Sequence, residues 1–163
     1  MTAVHDIDLA DFGAAVAKGP VTSEWLTISQ DLIDSFATLT GDRQWIHVDR
    51  DRCEIESPFD EPIAHGCLVL ALVPRLFASA IRVTGSRVHI NMGYRYVRFI
   101  TPVRTEDKIR ARITPKEIKL LRGDPEVVWG IYIDASRNRL PAAALDWIVR
   151  YPKSAPPAAN ADH

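Results

Sequence analysis

The sequence predicts an α+β domain in which an antiparallel sheet of about five strands wraps one long buried helix. Three observations predict it. The run from Gly66 to Ala80 is apolar on almost every side of a helix in its first two turns, so protein must surround it. After Gly85 the hydrophobic pattern changes to period two and keeps that period to Tyr151. No helical stretch separates these strands, and strands that follow one another without helices pair antiparallel.

The bulk numbers agree with a single domain. The chain has 163 residues, 47% of them apolar and 25% charged, with a formal net charge of −1. Mixed charge of this kind leaves no nucleic-acid footprint. Arginines gather between Arg82 and Arg122. Most read as solvated strand faces, and the local excess also suits an anionic ligand such as a coenzyme phosphate. The two cysteines, Cys53 and Cys67, have no metal-ligand spacing and no need to staple a chain of this size. They read as core thiols in a reducing cytoplasm, and no metal is expected. Met1 to Ala17 lacks the basic and apolar regions of a signal peptide. The Gly66–Ala80 run is too short for a bilayer, which takes about 20 residues, and Pro74 and Arg75 interrupt it.

The elements follow in order. Residues 1–26 are a leader without a clear pattern. Ile28 to Leu39 reads as an amphipathic helix, with Leu32, Ile33, Phe36, Ala37 and Leu39 on one side, Ser29 as N-cap and Gly41 as its left-handed stop. Residues 42–65 are a long connection whose Trp45, Ile46, Phe59 and Ile63 mark it as ordered and packed. Gly66 to Ala80 is the second helix, with a bend expected at Pro74. Strands are expected at Arg87–Ile90, Arg95–Phe99, Lys108–Thr114, Val127–Ala135 and Ala143–Tyr151, with Ser136 to Arg139 turning between the last two. The main domain spans 27–151. The Pro/Ala-rich stretch 152–163 reads as a disordered tail.

Chemistry concentrates in the long connection. Asp42 and His47 stand five residues apart, and His65-Gly66 opens the apolar helix. A carboxylate and an imidazole at this spacing can share one water if the segment turns between them. Backbone N–H groups at the start of a helix can hold a developing oxyanion, and Gly66 has no side chain to block one. His65 reads as a structural residue holding the loop.

These residues resemble the MaoC-like dehydratases, the hot-dog-fold family that includes R-specific enoyl-CoA hydratases. Three stretches carry the resemblance: Phe36 to Asp49 with Gly41-Asp42 and His47, Ser57-Pro-Phe59 to His65-Gly66, and Ile90-Asn91 through Arg98-Phe99 to Pro102-Val103. The likeness runs from about residue 25 to Tyr151. It implies a single hot-dog domain and reversible hydration of a trans-2-enoyl-CoA to an R-3-hydroxyacyl-CoA, with no cofactor. It implies Asp42 and His47 as the catalytic pair and Gly66 as the oxyanion donor. Ser57 and Phe59 would border the substrate entrance, and Asn91 and Arg98 would support substrate or a dimer contact. The chain would be a homodimer whose sites draw on both subunits. Gln44 and Trp45 stand where the family commonly has Asn-Pro, Cys53 replaces a small residue, and Met92 replaces a Tyr. These departures bear on acyl-chain preference.

Two other functions fit a hot-dog domain. A thioester-binding scaffold subunit would need no acid/base pair, and this chain keeps one. A thioesterase often places a carboxylate on the central helix, and residues 67–80 contain no Asp or Glu.

Overall fold

A computed structural model describes residues 4–12, 19–86 and 88–152. The strands, numbered in chain order, are β1 (His5–Asp8), β2 (Val21–Thr22), β3 (Leu26–Thr27), β4 (Ile81–Thr84), β5 (Ile90–Phe99), β6 (Lys108–Leu121), β7 (Asp124–Ala135) and β8 (Ala143–Arg150). The large sheet runs β2-β6-β7-β8-β5, with β3 also on β6, and every pairing in it is antiparallel. Its inner face is built by alternation. Ile109, Ala111 and Ile113 of β6 and Val127, Trp129, Ile131 and Ile133 of β7 are all at most 1% exposed. Between them Arg110, Arg112 and Asp134 point outward and pair with each other. The predicted α+β class and antiparallel sheet are present.

Two strands are longer than their patterns suggest. β6 and β7 continue past Thr114 and start before Val127, closing through Arg122-Gly123. Both turn residues have positive φ (55° and 90°), the geometry whose twist suits a two-residue hairpin. The extension is hidden in sequence because a register shift between Pro115 and Glu117 breaks the alternation. The tip also leaves Leu120 and Leu121 exposed. The expected Arg87–Ile90 and Arg95–Phe99 strands resolve differently: Arg87 lies outside the described residues, and Ile90 to Phe99 is one bulged strand.

The first helix, α1 (Gln30–Thr40), has the caps expected of it. Ser29 accepts from the Leu32 N–H, and Gly41, at φ 78°, donates to the Ala37 carbonyl. The connection after it holds two short helices, α2 (Trp45–Val48) and α3 (Arg50–Glu56). The buried helix is interrupted, as α4 (Gly66–Ala71) and α5 (Val73–Ala78) with a break at Leu72. Pro74 lacks the N–H that would bond to Leu70, so the helix restarts rather than bending smoothly. Leu68, Val69, Leu72, Val73, Leu76 and Phe77 fill the concave side of the sheet. Cys67, expected in the core, is exposed, as are Ala71, Pro74 and Ala78 on the same side. One stripe of an apolar helix is therefore uncovered by this chain. Cys53 is buried as expected.

The leader contributes to the fold. β1 pairs in parallel with β4 directly after α5, and β2 and β3 pair with β6. The expected tail lies outside the described residues beyond Pro152, which is buried. Among the described residues no helix is long and apolar enough to cross a membrane.

Candidate functional site

The long connection brings Asp42, His47 and His65 together, with one donor atom of each within 4.8 Å of the others. Three local devices put them there. Gly41 ends α1 in a left-handed turn, so Asp42 leaves the helix axis with its side chain 56% exposed. The one-turn helix α2 then rotates His47 back toward it. Gln30 of α1 fixes that turn, its side-chain amide donating to the His47 carbonyl at 2.8 Å. His65 stands immediately before α4 and reaches back across the connection to the Asp42 carbonyl at 2.9 Å.

The hydrogen bonds assign the tautomers. A carbonyl only accepts, so the ring nitrogen facing it carries the proton. Nδ1 of His47 donates to the Ile63 carbonyl at 2.7 Å, which leaves its Nε2 as a free base. Nε2 of His65 donates to Asp42, which leaves its Nδ1 bare, buried and without a partner among the described residues. His47 is 6% exposed. Burial pushes its pKa below the ordinary histidine value; the Ile63 carbonyl pulls the other way, His65 adds to the depression, and Asp42 opposes it. The net result is a neutral imidazole at pH 7, the form a general base needs.

The same three side chains resemble a metal-ligand set. The ring geometry suits proton transfer better. His47 and His65 stack with centroids 3.7 Å apart and 27° between planes, so their in-plane lone pairs lie in two offset, nearly parallel planes, a poor arrangement for two nitrogens on one ion.

Gly66 opens α4 on the other side of His65. The first N–H groups of any helix lack intrahelical partners. A Cβ at Gly66 would sit 3.0 Å from the Phe99 ring, so the aromatic side chain lies against this glycine. Beside it is a pocket of about 330 Å³, lined chiefly by Phe59, Ile63, Gly66, Val69, Phe99 and Val103. An apolar chain entering here would have its polar end at Gly66.

The remaining sequence candidates divide. Phe59 lines this pocket. Ser57 is 8% exposed and ends α3, where its hydroxyl accepts from the Phe59 N–H at 3.1 Å; it shapes the loop that carries Phe59. Asn91 is not brought to the cluster. It lies eight residues before Phe99 on β5, about 25 Å away at strand rise, where its Oδ1 accepts from Trp147 Nε1 and Gly93 N, each at 3.0 Å. Arg98 stands on β5 with no hydrogen bond or ion pair among the described residues. Its neighbours are occupied: Arg82 with Asp6, Arg95 with Glu117 and Asp146, Arg104 with Glu61, and Arg110 and Arg112 with Asp134. Sequence reading missed the Ile63 carbonyl, which no side-chain pattern can reveal. It also missed Gln30, whose only signal is its place in the first turn of α1.

Known proteins resemble the chain over most of its length. Residues 11–133 match the family model described as a MaoC like domain. The chain is 36% identical over 147 residues to nodulation protein N of Rhizobium meliloti (strain 1021), covering 89% of this chain and 91% of that protein. It is 37% identical over 144 residues to 3-hydroxyacyl-thioester dehydratase Z of Mycobacterium tuberculosis, covering 88% and 95%. The unliganded R-hydratase of Pseudomonas aeruginosa shares its fold, with a TM-score of 0.66 at 23% identity over 83% of this chain and 82% of that one.

Proposed function

The chain belongs to the MaoC-like domain family, with its hot-dog fold, and from that premise we propose that it adds water reversibly to a trans-2-enoyl thioester of coenzyme A, giving the R-3-hydroxyacyl thioester. The observation that carries this reading is a neutral, buried His47 with a free Nε2, gathered with the Asp42 carboxylate and with His65, the residue before the helix-opening Gly66.

Water lies between Asp42 and His47 in this scheme. His47 Nε2 takes one proton as the oxygen bonds to C3, and the Asp42 carboxylate accepts the water's other hydrogen and faces the imidazolium that forms. The C2–C3 π electrons move toward the thioester, and its oxygen gathers charge at the Gly66 N–H. The enolate then takes the proton from His47 at C2, on the face where the oxygen entered. The sum is addition of H and OH; dehydration is the reverse. One oxyanion donor contributes about 3 kcal/mol to such a transition state. Phe59 and the pocket beside Gly66 would receive the acyl chain.

We place the active unit in residues 27–151 and in a homodimer. Two features support the dimer: the uncovered stripe at Cys67, Ala71, Pro74 and Ala78, and the edge strand β5, whose Ile90, Met92, Tyr96 and Phe99 are all at least 36% exposed. Arg98, on that edge and without a side-chain partner among the described residues, would then meet a coenzyme phosphate. The two free thiols suit a reducing cytoplasm. The test is a purified-protein assay with crotonyl-CoA. Loss of enoyl absorbance with an R product on chiral analysis is expected. Release of free thiol, or an S product, would overturn the assignment.

A further inference from the structure

We propose that His65 is a positioning residue for the acid/base pair, setting both the Asp42 backbone and the plane of the His47 ring; this rests on the hydratase reading above. The position calls for something else. His65 is the N-cap of α4, where Ser, Thr, Asp or Asn would bond the helix N–H groups, yet its side chain makes no cap bond. It is turned back to Asp42, twenty-three residues earlier in the chain. It is 3% exposed, and the turn leaves its Nδ1 buried without a partner among the described residues.

What it gains is control of two groups at once. The Asp42 carboxylate is half-exposed and accepts no hydrogen bond among the described residues; its Oδ2 is 4.0 Å from His65 Nε2. Asp42 is therefore held through its main chain, by the His65 bond at its carbonyl and a weaker one from its own N–H to the Thr40 hydroxyl at 3.4 Å. The His65 ring stacks on His47 at 3.7 Å and meets Phe36 in a tilted contact at 5.1 Å. A flat partner on that side keeps the His47 ring in the plane that joins Nδ1 to the Ile63 carbonyl, and with it the place of Nε2 in the cluster. One buried imidazole thus couples the carboxylate, the base and, through the next residue, the start of α4.

Two substitutions separate these contributions. His65→Phe keeps a flat ring but loses the donor to Asp42. His65→Gln keeps an amide N–H at a similar reach but loses the ring. With crotonyl-CoA, His65→Phe is expected to lower kcat by about 100-fold, the cost of a misplacement near 1 Å, with KM unchanged within about threefold. His65→Gln should recover the part of that loss that the bond to Asp42 carries. The acid limb of the His47 profile should move upward in His65→Phe, because His65 helps depress it. Imidazole nitrogen spectra of the same proteins judge the positioning without turnover. The Nδ1–H tautomer of His47 should dominate in the wild type and in His65→Phe, which keeps the flat partner, and mix with the other in His65→Gln, which loses it. Equal kcat in His65→Phe and wild type, or an unchanged His47 tautomer in a folded His65→Gln, would overturn the proposal. A wild type that hydrates no enoyl-CoA would overturn the hydratase reading alone, and the nitrogen spectra would still decide the role of His65.

Discussion

A depressed histidine pKa has a direction that activity and stability must both follow. His47 is held neutral by burial and by the stacked His65. If it is the base, kcat/KM should stay level through pH 7 and fall only at a pH below the ordinary histidine range. A pH–rate profile with its acid limb above about 6.5 would contradict that. Stability carries the same sign. The unfolded chain takes up a proton at His47 at a higher pH than the folded chain does. The contribution of this group is therefore complete above the unfolded value and is lost as the pH falls through the folded one. At the same scale, Asp42→Asn and His47→Gln should each lower kcat by at least about 100-fold, because each removes an acid/base function. Both should keep the wild-type circular dichroism. Near-normal turnover in either variant would remove that residue from the mechanism.

The turn from α1 into Asp42 shows how an element sets a site. Gly41 combines two tasks, closing α1 on the Ala37 carbonyl and releasing Asp42 from the helix, and it does so at φ 78°. A Cβ added there meets nothing within 4 Å, so a Gly41→Ala change acts through backbone conformation alone. Left-handed alanine costs about 1–2 kcal/mol, which thermal melting should register, and kcat should fall with it as Asp42 shifts. An unchanged melting temperature would mean that the turn is not strained by a side chain. This helix was legible in the sequence because its cap, its apolar face and its glycine stop all agree. The helices α2 and α3 were not. They are short, and what holds them is tertiary: Gln30 on the His47 carbonyl and the Arg52 guanidinium 4.4 Å over the Trp45 ring. Likewise Asp42, His47 and Gly66 could be singled out from spacing and resemblance. The bond from Ile63 that sets the tautomer, and the His65 stack, belong to the folded connection and have no sequence pattern.

At the scale of the molecule, the open question is what covers the apolar surface this chain leaves bare. The sequence called for a helix enclosed on all sides, and the chain leaves the stripe at Cys67, Ala71, Pro74 and Ala78 exposed. The sheet has the same deficit, since among the described residues β5 pairs with β8 alone and its other edge is open. An open edge with Ile90, Met92, Tyr96 and Phe99 exposed is a template for another strand. A second copy offers the matching one, and an antiparallel β5–β5 pairing about a two-fold axis satisfies both copies with one patch. That pairing has a consequence for the site. Phe99 rests against Gly66 at one end of β5, and Asn91 stands at the other. In the proposed dimer, antiparallel pairing would bring the Asn91 end of one subunit to the Gly66 end of its partner, so a residue remote from the cluster within one chain would become a neighbour of it in the pair. Met92, 43% exposed on this edge and in neither the acid/base pair nor the pocket beside Gly66, is the place to test it. Met92→Glu would set a charge on each copy into the same apolar contact. Light scattering at micromolar concentration should show wild-type dimers and Met92→Glu monomers, with the monomer folded by circular dichroism and its kcat/KM for crotonyl-CoA reduced at least about tenfold, because apolar burial at the pairing edge is replaced by unpaired buried charge. A fully active monomer would refute the shared site and return the substrate to the single-chain pocket beneath Phe99.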